Sequence, residues 1–209
     1  MSNPFPKSWW SFDLGKYRAC DSTYMRYDYE TIPPLDEKLF DGTFAWLGEG
    51  EPDAKLAKRA LHLKNALREV GLKLPEAFER FTSTRLPGSI NSCTACEFDL
   101  SEAPVPNKAV KGAYTVRFLR DQQDCLLWYL FLTPDGESSV IVSPIPFDDP
   151  EVDVDAEVVI ANTWWCAPHF EHFVYRFWIE NEIWEKVNSK SPKLDAAQQR
   201  YVDHYAPKN

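Results

Sequence analysis

The spacing of apolar residues has no steady period over the first thirty positions, then turns helical, then strand-like, then helical again. Trp9, Trp10, Phe12, Tyr17, Tyr24, Tyr27 and Tyr29 crowd the opening stretch without a repeat of 2 or 3.6. That pattern predicts irregular chain over residues 1–45, laid across a surface and held there by its aromatic rings. Pro33 and Pro34 punctuate it, and Thr43 to Leu47 (TFAWL) reads as a short strand or the end of a turn. From Glu51 the stretch EPDAKLAKRALHLKNALREVG predicts a helix, with Pro52 in its first turn and Gly71 as its stop. Leu56, Ala60, Leu63 and Leu67 recur at three- and four-residue spacing and form one apolar stripe. Lys55, Lys58, Arg59, Lys64 and Arg68 fill the remaining, solvated face. After Pro75, PEAFERFTS predicts a second short helix with Phe78 and Phe81 on one side, so residues 51–84 form a helical region.

Between Thr94 and Ile145 the segments FDL, YTVRFL, CLLWYLFLT and SVIVSPI are rich in aromatic and β-branched residues and separated by turn signals, as successive strands are. Pro-Asp-Gly between Thr133 and Glu137 favours a tight turn, hence an antiparallel hairpin and a meander. Asp148 to Asp155 (DDPEVDVD) is an acidic loop, and Glu157 to Asn162 (EVVIAN) reads as a further strand that completes a sheet over 94–162. Pro168 then precedes FEHFVYRFWIENEIWEKV, where Phe170, Phe173, Val174, Phe177, Asn181 and Trp184 follow the helical template. Trp178, Ile179 and Ile183 widen the apolar surface, so this helix should be covered on most sides. Glu180 and Asn181 interrupt it, which predicts a buried polar group bonded to a neighbouring strand or to Arg176. A last helix from Leu194 to Tyr205 ends a C-terminal helical region over 168–206. The expected fold is α+β, one domain over residues 1–209: a mainly antiparallel meander packed against helices from the N-terminal half and the C-terminus.

Composition sharpens this picture. Hydrophobic residues make up 44% of the chain and aromatics 14%, enough apolar area for a large core. The net charge of −9 opposes nucleic acid and anionic membrane surfaces as partners and suits a basic protein. The start MSNPFPKSWWSFD has no leader pattern and no apolar run approaches spanning length, so the expected location is the cytoplasm. Five cysteines, an odd number in a chain of this size, predict reduced thiols rather than a disulfide framework.

The sharpest candidate for chemistry is a zinc site, because Cys93-Thr-Ala-Cys96 has the spacing of half a site and Cys166-Ala-Pro-His169 could supply two more ligands. Buried free thiols are the commoner origin of such spacing. A cysteine nucleophile would need His169 or His172 as its base, and both fall in the first turn of the large helix, where exposure is common. His62 and His204 lie on polar helix faces. No phosphate-binding glycine loop, nucleophile elbow or HExxH motif is present, so no cofactor is expected and binding is favoured over catalysis.

Two segments, Gly112 to Ile145 (GAYTVRFLRDQQDCLLWYLFLTPDGESSVIVSPI) and Cys166 to Val187 (CAPHFEHFVYRFWIENEIWEKV), together with LPEAFERF at Leu74 to Phe81, resemble the SUKH superfamily. It groups a fungal cell-wall-assembly regulator with bacterial immunity partners of secreted toxins. The resemblance implies a non-enzymatic protein that neutralises a toxin domain, often a basic nuclease, by direct binding. Asp148, Asp149, Glu151, Asp153 and Asp155 are then the electrostatic contacts and Trp164 and Trp165 the anchors, against the plainer roles of solvated loop and core packing. A regulatory or scaffold adaptor of the same fold is the alternative, and a zinc- or cysteine-dependent enzyme built on Cys93, Cys96, Cys166 and His169 the third reading.

Overall fold

The computed structural model describes residues 3–48, 53–84, 90–190 and 193–206; Glu51 and Pro52, expected at the first helix start, lie outside them. The fold is α+β, with eight strands and five α-helices among the described residues. A six-stranded antiparallel sheet is built from β3 (Cys96–Glu97), β4 (Val105–Pro106), β5 (Tyr114–Asp121), β6 (Leu127–Leu132), β7 (Ser138–Ser143) and β8 (Trp164–Ala167). Its order is β3-β5-β6-β7-β8, with β4 also pairing on β5; β5, β6 and β7 are expected strands in meander order, β8 is an unforeseen addition, and residues 98–100 (FDL), expected as a strand, lie between β3 and β4. The turn between β6 and β7 is the Pro-Asp-Gly segment: Gly136 takes φ 86°, and Thr133 N–H donates to the Glu137 carbonyl at 3.0 Å.

β6 explains the two layers on either side of it. All six of its residues are buried, which fits a continuous apolar run rather than an alternating one. Trp128, Leu130 and Leu132 face the main core with Phe118, Phe170, Phe173 and Phe177, whereas Leu127, Tyr129 and Phe131 face a second cluster with Phe5, Ile141 and Val159. Helices cover the first face: α1 (Ala54–Glu69), α2 (Glu76–Thr84) and α4 (Phe170–Val187). In α1 the predicted stripe is the buried one, with Ala60, Leu63 and Leu67 in the core and Leu56 packed against it. Twelve of the eighteen residues of α4 are buried, as its wide apolar surface requires. The far side of α4 carries Tyr175, Ile179 and Ile183 against Phe12, Leu14 and α5 (Ala196–Asp203).

Asp53 caps α1 by accepting from the N–H groups of Lys55 and Leu56, which have no partner inside the helix. Asp53→Ala should therefore lower stability by about 1 kcal/mol, read as a shift of the urea midpoint at unchanged slope.

Two expectations need correction, at residues 1–45 and at Glu157 to Asn162, and Thr43 to Leu47 takes one of its two expected forms. Residues 1–45 are not irregular throughout: β1 (Ser8–Ser11) and β2 (Met25–Asp28) pair antiparallel, and Lys7 bridges to Trp165 of the large sheet. Four-residue strands separated by a long connection are too short to impose a period. Thr43 to Leu47 is the end of a turn, a 3-10 turn over Ala45–Leu47 entered through Phe44 at φ 56°. Glu157 to Asn162 is not a strand but lies in and after α3 (Ala156–Ala161). Asp155 accepts from Val158 N–H there and caps the helix, and only Val159 is buried, so the β-branched run yields to a cap and a single apolar contact. The strand that completes the sheet is β8, placing the sheet's end at 167 rather than 162. Among the described residues no helix is long and apolar enough to cross a membrane.

Candidate interaction surface

The acidic loop lies on the sheet face opposite α4. Phe147 packs on Tyr129 with the rings tilted and their centroids 4.8 Å apart, and its N–H donates to the Tyr129 hydroxyl at 3.2 Å. Arg117 of β5 clamps the loop's first carboxylate: its Nε and Nη2 donate to Asp148 at 3.1 and 2.8 Å, and its Nη1 to Asp99 at 2.8 Å. Beyond Asp148, exposure alternates. Asp149, Glu151, Asp153, Asp155 and Glu157 are exposed, while Val152, Val154 and Ala156 are partly covered and Val154 packs on the outer cluster. Asp149 accepts from Glu151 N–H at 2.9 Å, and Asp153 pairs with Lys108. The outcome is a stretch of exposed carboxylates in which Asp149 and Asp155 are engaged by backbone N–H groups and Asp153 by Lys108, with Val154 packed beneath.

The predicted contact residues thus divide. Asp149, Glu151, Asp153 and Asp155 face solvent together. Asp148 does not join them, because its side chain is only 16% exposed and is engaged by Arg117. Trp164 and Trp165 are both half-buried and, as neighbours on a strand, point to opposite faces. Trp164 packs toward the main core, tilted against Trp10 at 4.9 Å with the Arg26 guanidinium 5.6 Å from its ring. Trp165 packs on the outer cluster, edge-on to Tyr29 at 4.8 Å with Lys7 Nζ 5.2 Å from its centroid. Only Trp165 shares a face with the carboxylates.

The zinc candidates are not drawn together. Cys93 and Cys96 flank a turn in which Cys96 N–H donates to Ser92 Oγ. Cys166 lies fully buried in β8, its thiol on the Val140 carbonyl at 3.4 Å. His169 caps α4, its Nδ1 accepting from His172 N–H at 3.2 Å, and its Nε2 stands 3.6 Å from Glu37. Among the described residues no group of three His, Cys, Asp or Glu is placed to hold a metal ion. Burial pushes the thiols of Cys93, Cys96 and Cys166 up, the opposite of what an activated nucleophile needs. His172, expected to be exposed, is buried, and burial together with Arg176 and His169 pushes its pKa down to about 3.

Glu180 is the buried polar group foreseen in α4, and its partners are the strand β1 and Arg18 rather than Arg176. Arg18 donates from Nη1 to Oε1 at 2.6 Å and from Nη2 to Oε2 at 2.9 Å. Trp9 Nε1 and the Ser11 hydroxyl also donate, and Tyr201 of α5 donates at 2.6 Å. Arg176 reaches the same group through the Tyr201 hydroxyl at 3.0 Å. Asn181 accepts from Cys93 N–H at 2.8 Å and donates to the Phe177 carbonyl. The sequence reading missed Glu171, which accepts from Gly42 N–H (2.6 Å), Phe44 N–H (3.2 Å) and Trp46 Nε1 (3.3 Å) and so holds the left-handed turn at Phe44. It missed Arg18 as well. No local signal marks either, since the groups that meet are more than a hundred residues apart in sequence. These networks build the scaffold, while the outer side of the sheet is covered by a second core that carries the acidic loop.

No protein-family model, curated protein or solved structure matches the chain.

Proposed function

We propose that this is a non-enzymatic, cytoplasmic protein-binding protein of the immunity type, which neutralises a basic toxin domain by covering it with the acidic loop that lies over the outer side of the sheet. The observation that carries the reading is the cluster of exposed carboxylates at Asp149, Glu151, Asp153 and Asp155, on a loop seated on the sheet through Val154 and the Arg117 clamp. A charged rim on an anchored loop speeds encounter with an oppositely charged partner. The resemblance of Gly112 to Ile145 and Cys166 to Val187 to SUKH immunity proteins supports the same role, and the net charge of −9 suits a basic partner.

The experiment is isolation of the stoichiometric partner from the native source, followed by binding kinetics with the Asp149→Asn, Glu151→Gln, Asp153→Asn, Asp155→Asn protein. Asparagine keeps the turn at Asp149 and the α3 cap at Asp155, and the one contact weakened is the exposed Lys108–Asp153 pair. Association is expected to slow about ten-fold at low salt and to lose most of its salt dependence. A partner of acidic charge, or kinetics unchanged by neutralisation, would overturn the reading. A basic partner that is not a toxin, with no rescue of cells expressing one, would leave the adaptor role in its place.

A further inference from the structure

Near the acidic row, the same face of the sheet holds a slot of about 250 Å³ lined by Phe131, Trp165, Val110 and Pro168, with Glu137 and Ser139 among its polar groups. Phe131 is buried beneath it, and Glu137 is exposed with no hydrogen bond or ion pair to its carboxylate among the described residues. Val110 and Trp165 pack into the same outer cluster as Val154 of the acidic loop, and Lys108, two residues before Val110, pairs with Asp153. Slot and carboxylates therefore belong to one surface.

Size and lining narrow the occupant. The volume is below the several hundred Å³ of sites that enclose small ligands or cofactors, and matches a single long side chain. Apolar and aromatic walls ending at an unpaired carboxylate suit a side chain with a hydrocarbon stem and a cationic tip. A flat, weakly hydrated guanidinium stacks on such walls and still forks onto a carboxylate, whereas an ammonium keeps its water.

We propose that this slot receives an arginine side chain of the basic protein partner, its stem against Trp165 and Phe131 and its guanidinium at Glu137 and Ser139. The proposal rests on the reading that the partner is a basic protein, and it makes Trp165 the wall of a receptor rather than an inserted anchor.

The test is a nuclear magnetic resonance titration of the full chain with N-acetyl-arginine amide. Saturable shifts are expected at the Trp165 indole N–H and the Ser138 and Ser139 amides. Glu137→Gln, an exposed change, should weaken binding about five-fold, as should the uncharged citrulline analogue. The lysine analogue should also bind more weakly. Unsaturated or scattered shifts, or equal binding of the citrulline analogue, would overturn the slot; equal binding of the lysine analogue would overturn the choice of arginine. The charge-neutralised loop protein should keep the Trp165 shifts, so failure of the slot and failure of the acidic row are read separately.

Discussion

Glu180→Ala is expected to lower folding stability by about 3–5 kcal/mol, the range for removing one partner of a buried ion pair. Glu180 is fully buried and the Arg18 side chain is 5% exposed, so the substitution leaves a guanidinium in the interior with its counter-charge gone. It also strips the acceptor from Trp9 Nε1, the Ser11 hydroxyl and the Tyr201 hydroxyl. Each orphaned donor adds a desolvation penalty. Because these donors sit on β1, on the segment after it and on α5, the loss should loosen the N-terminal strand and the last helix from α4 together. At about 2–4 °C per kcal/mol for a chain of this size, the melting midpoint should fall by roughly 6–20 °C. Replacing both charges, Arg18→Met with Glu180→Leu, should be less harmful than Glu180→Ala alone, because no unpaired charge remains. A double variant as unstable as the sum of the single changes would show that the pair is not coupled. Burial alone would raise the Glu180 pKa, but the Arg18 charge and the hydrogen bonds from Arg18, Ser11 and Tyr201 hold it below its ordinary value. Its stabilisation is thus complete above the unfolded carboxyl pKa near 4.3 and is lost as pH falls through the lower folded value.

How far the sequence speaks depends on whether a feature is local. The α1 stripe, the Pro-Asp-Gly hairpin and the breadth of α4 each follow from residues within two or three turns of one another, and the structure has all three. The breaks come where distant chain decides. Glu157 to Ile160 carries strand propensity, yet the sheet position beside β7 is taken by Trp164–Ala167, and the Asp155 cap is enough to wind the preceding residues into α3. β1 exists because it pairs with β2 and because its Trp9 and Ser11 meet Glu180, some 170 positions away, and no window over SWWS contains that fact. For the candidate surface, the charge of residues 148–155 was legible. That Asp148 serves as Arg117's partner and that Trp164 and Trp165 part to opposite faces was not, since both depend on where the loop lands on the sheet. Strand alternation would have separated the two tryptophans once β8 was placed.

Acid should weaken the fold through His172 well before its carboxylates titrate. The ring lies at the start of α4 with a 6% exposed side chain, its Nδ1 buried without a hydrogen-bond partner among the described residues, packed against Phe40 at 5.1 Å. Burial, then the Arg176 guanidinium one turn on, then His169 oppose its protonation and bring its pKa to about 3. Glu37 stands 3.6 Å from Nε2 but is 69% exposed, so solvent screens a charge that would favour the imidazolium. The folded pKa is below the unfolded value near 6.5, so between the two the unfolded chain binds the extra proton. Stability from this group is therefore complete above about pH 6.5 and falls as pH drops toward 3. Between pH 7 and pH 5 the loss should be about 2 kcal/mol, approaching 4–5 kcal/mol by pH 3. His172→Phe keeps an aromatic ring against Phe40 and removes the titration, so its urea-derived stability should change by about 2 kcal/mol less than that of the parent chain between pH 7 and pH 5. Parallel pH profiles for the two proteins would mean that the imidazole reaches water at little cost, and that the first turn of α4 opens far more readily than its packing against Phe40 and Tyr175 requires.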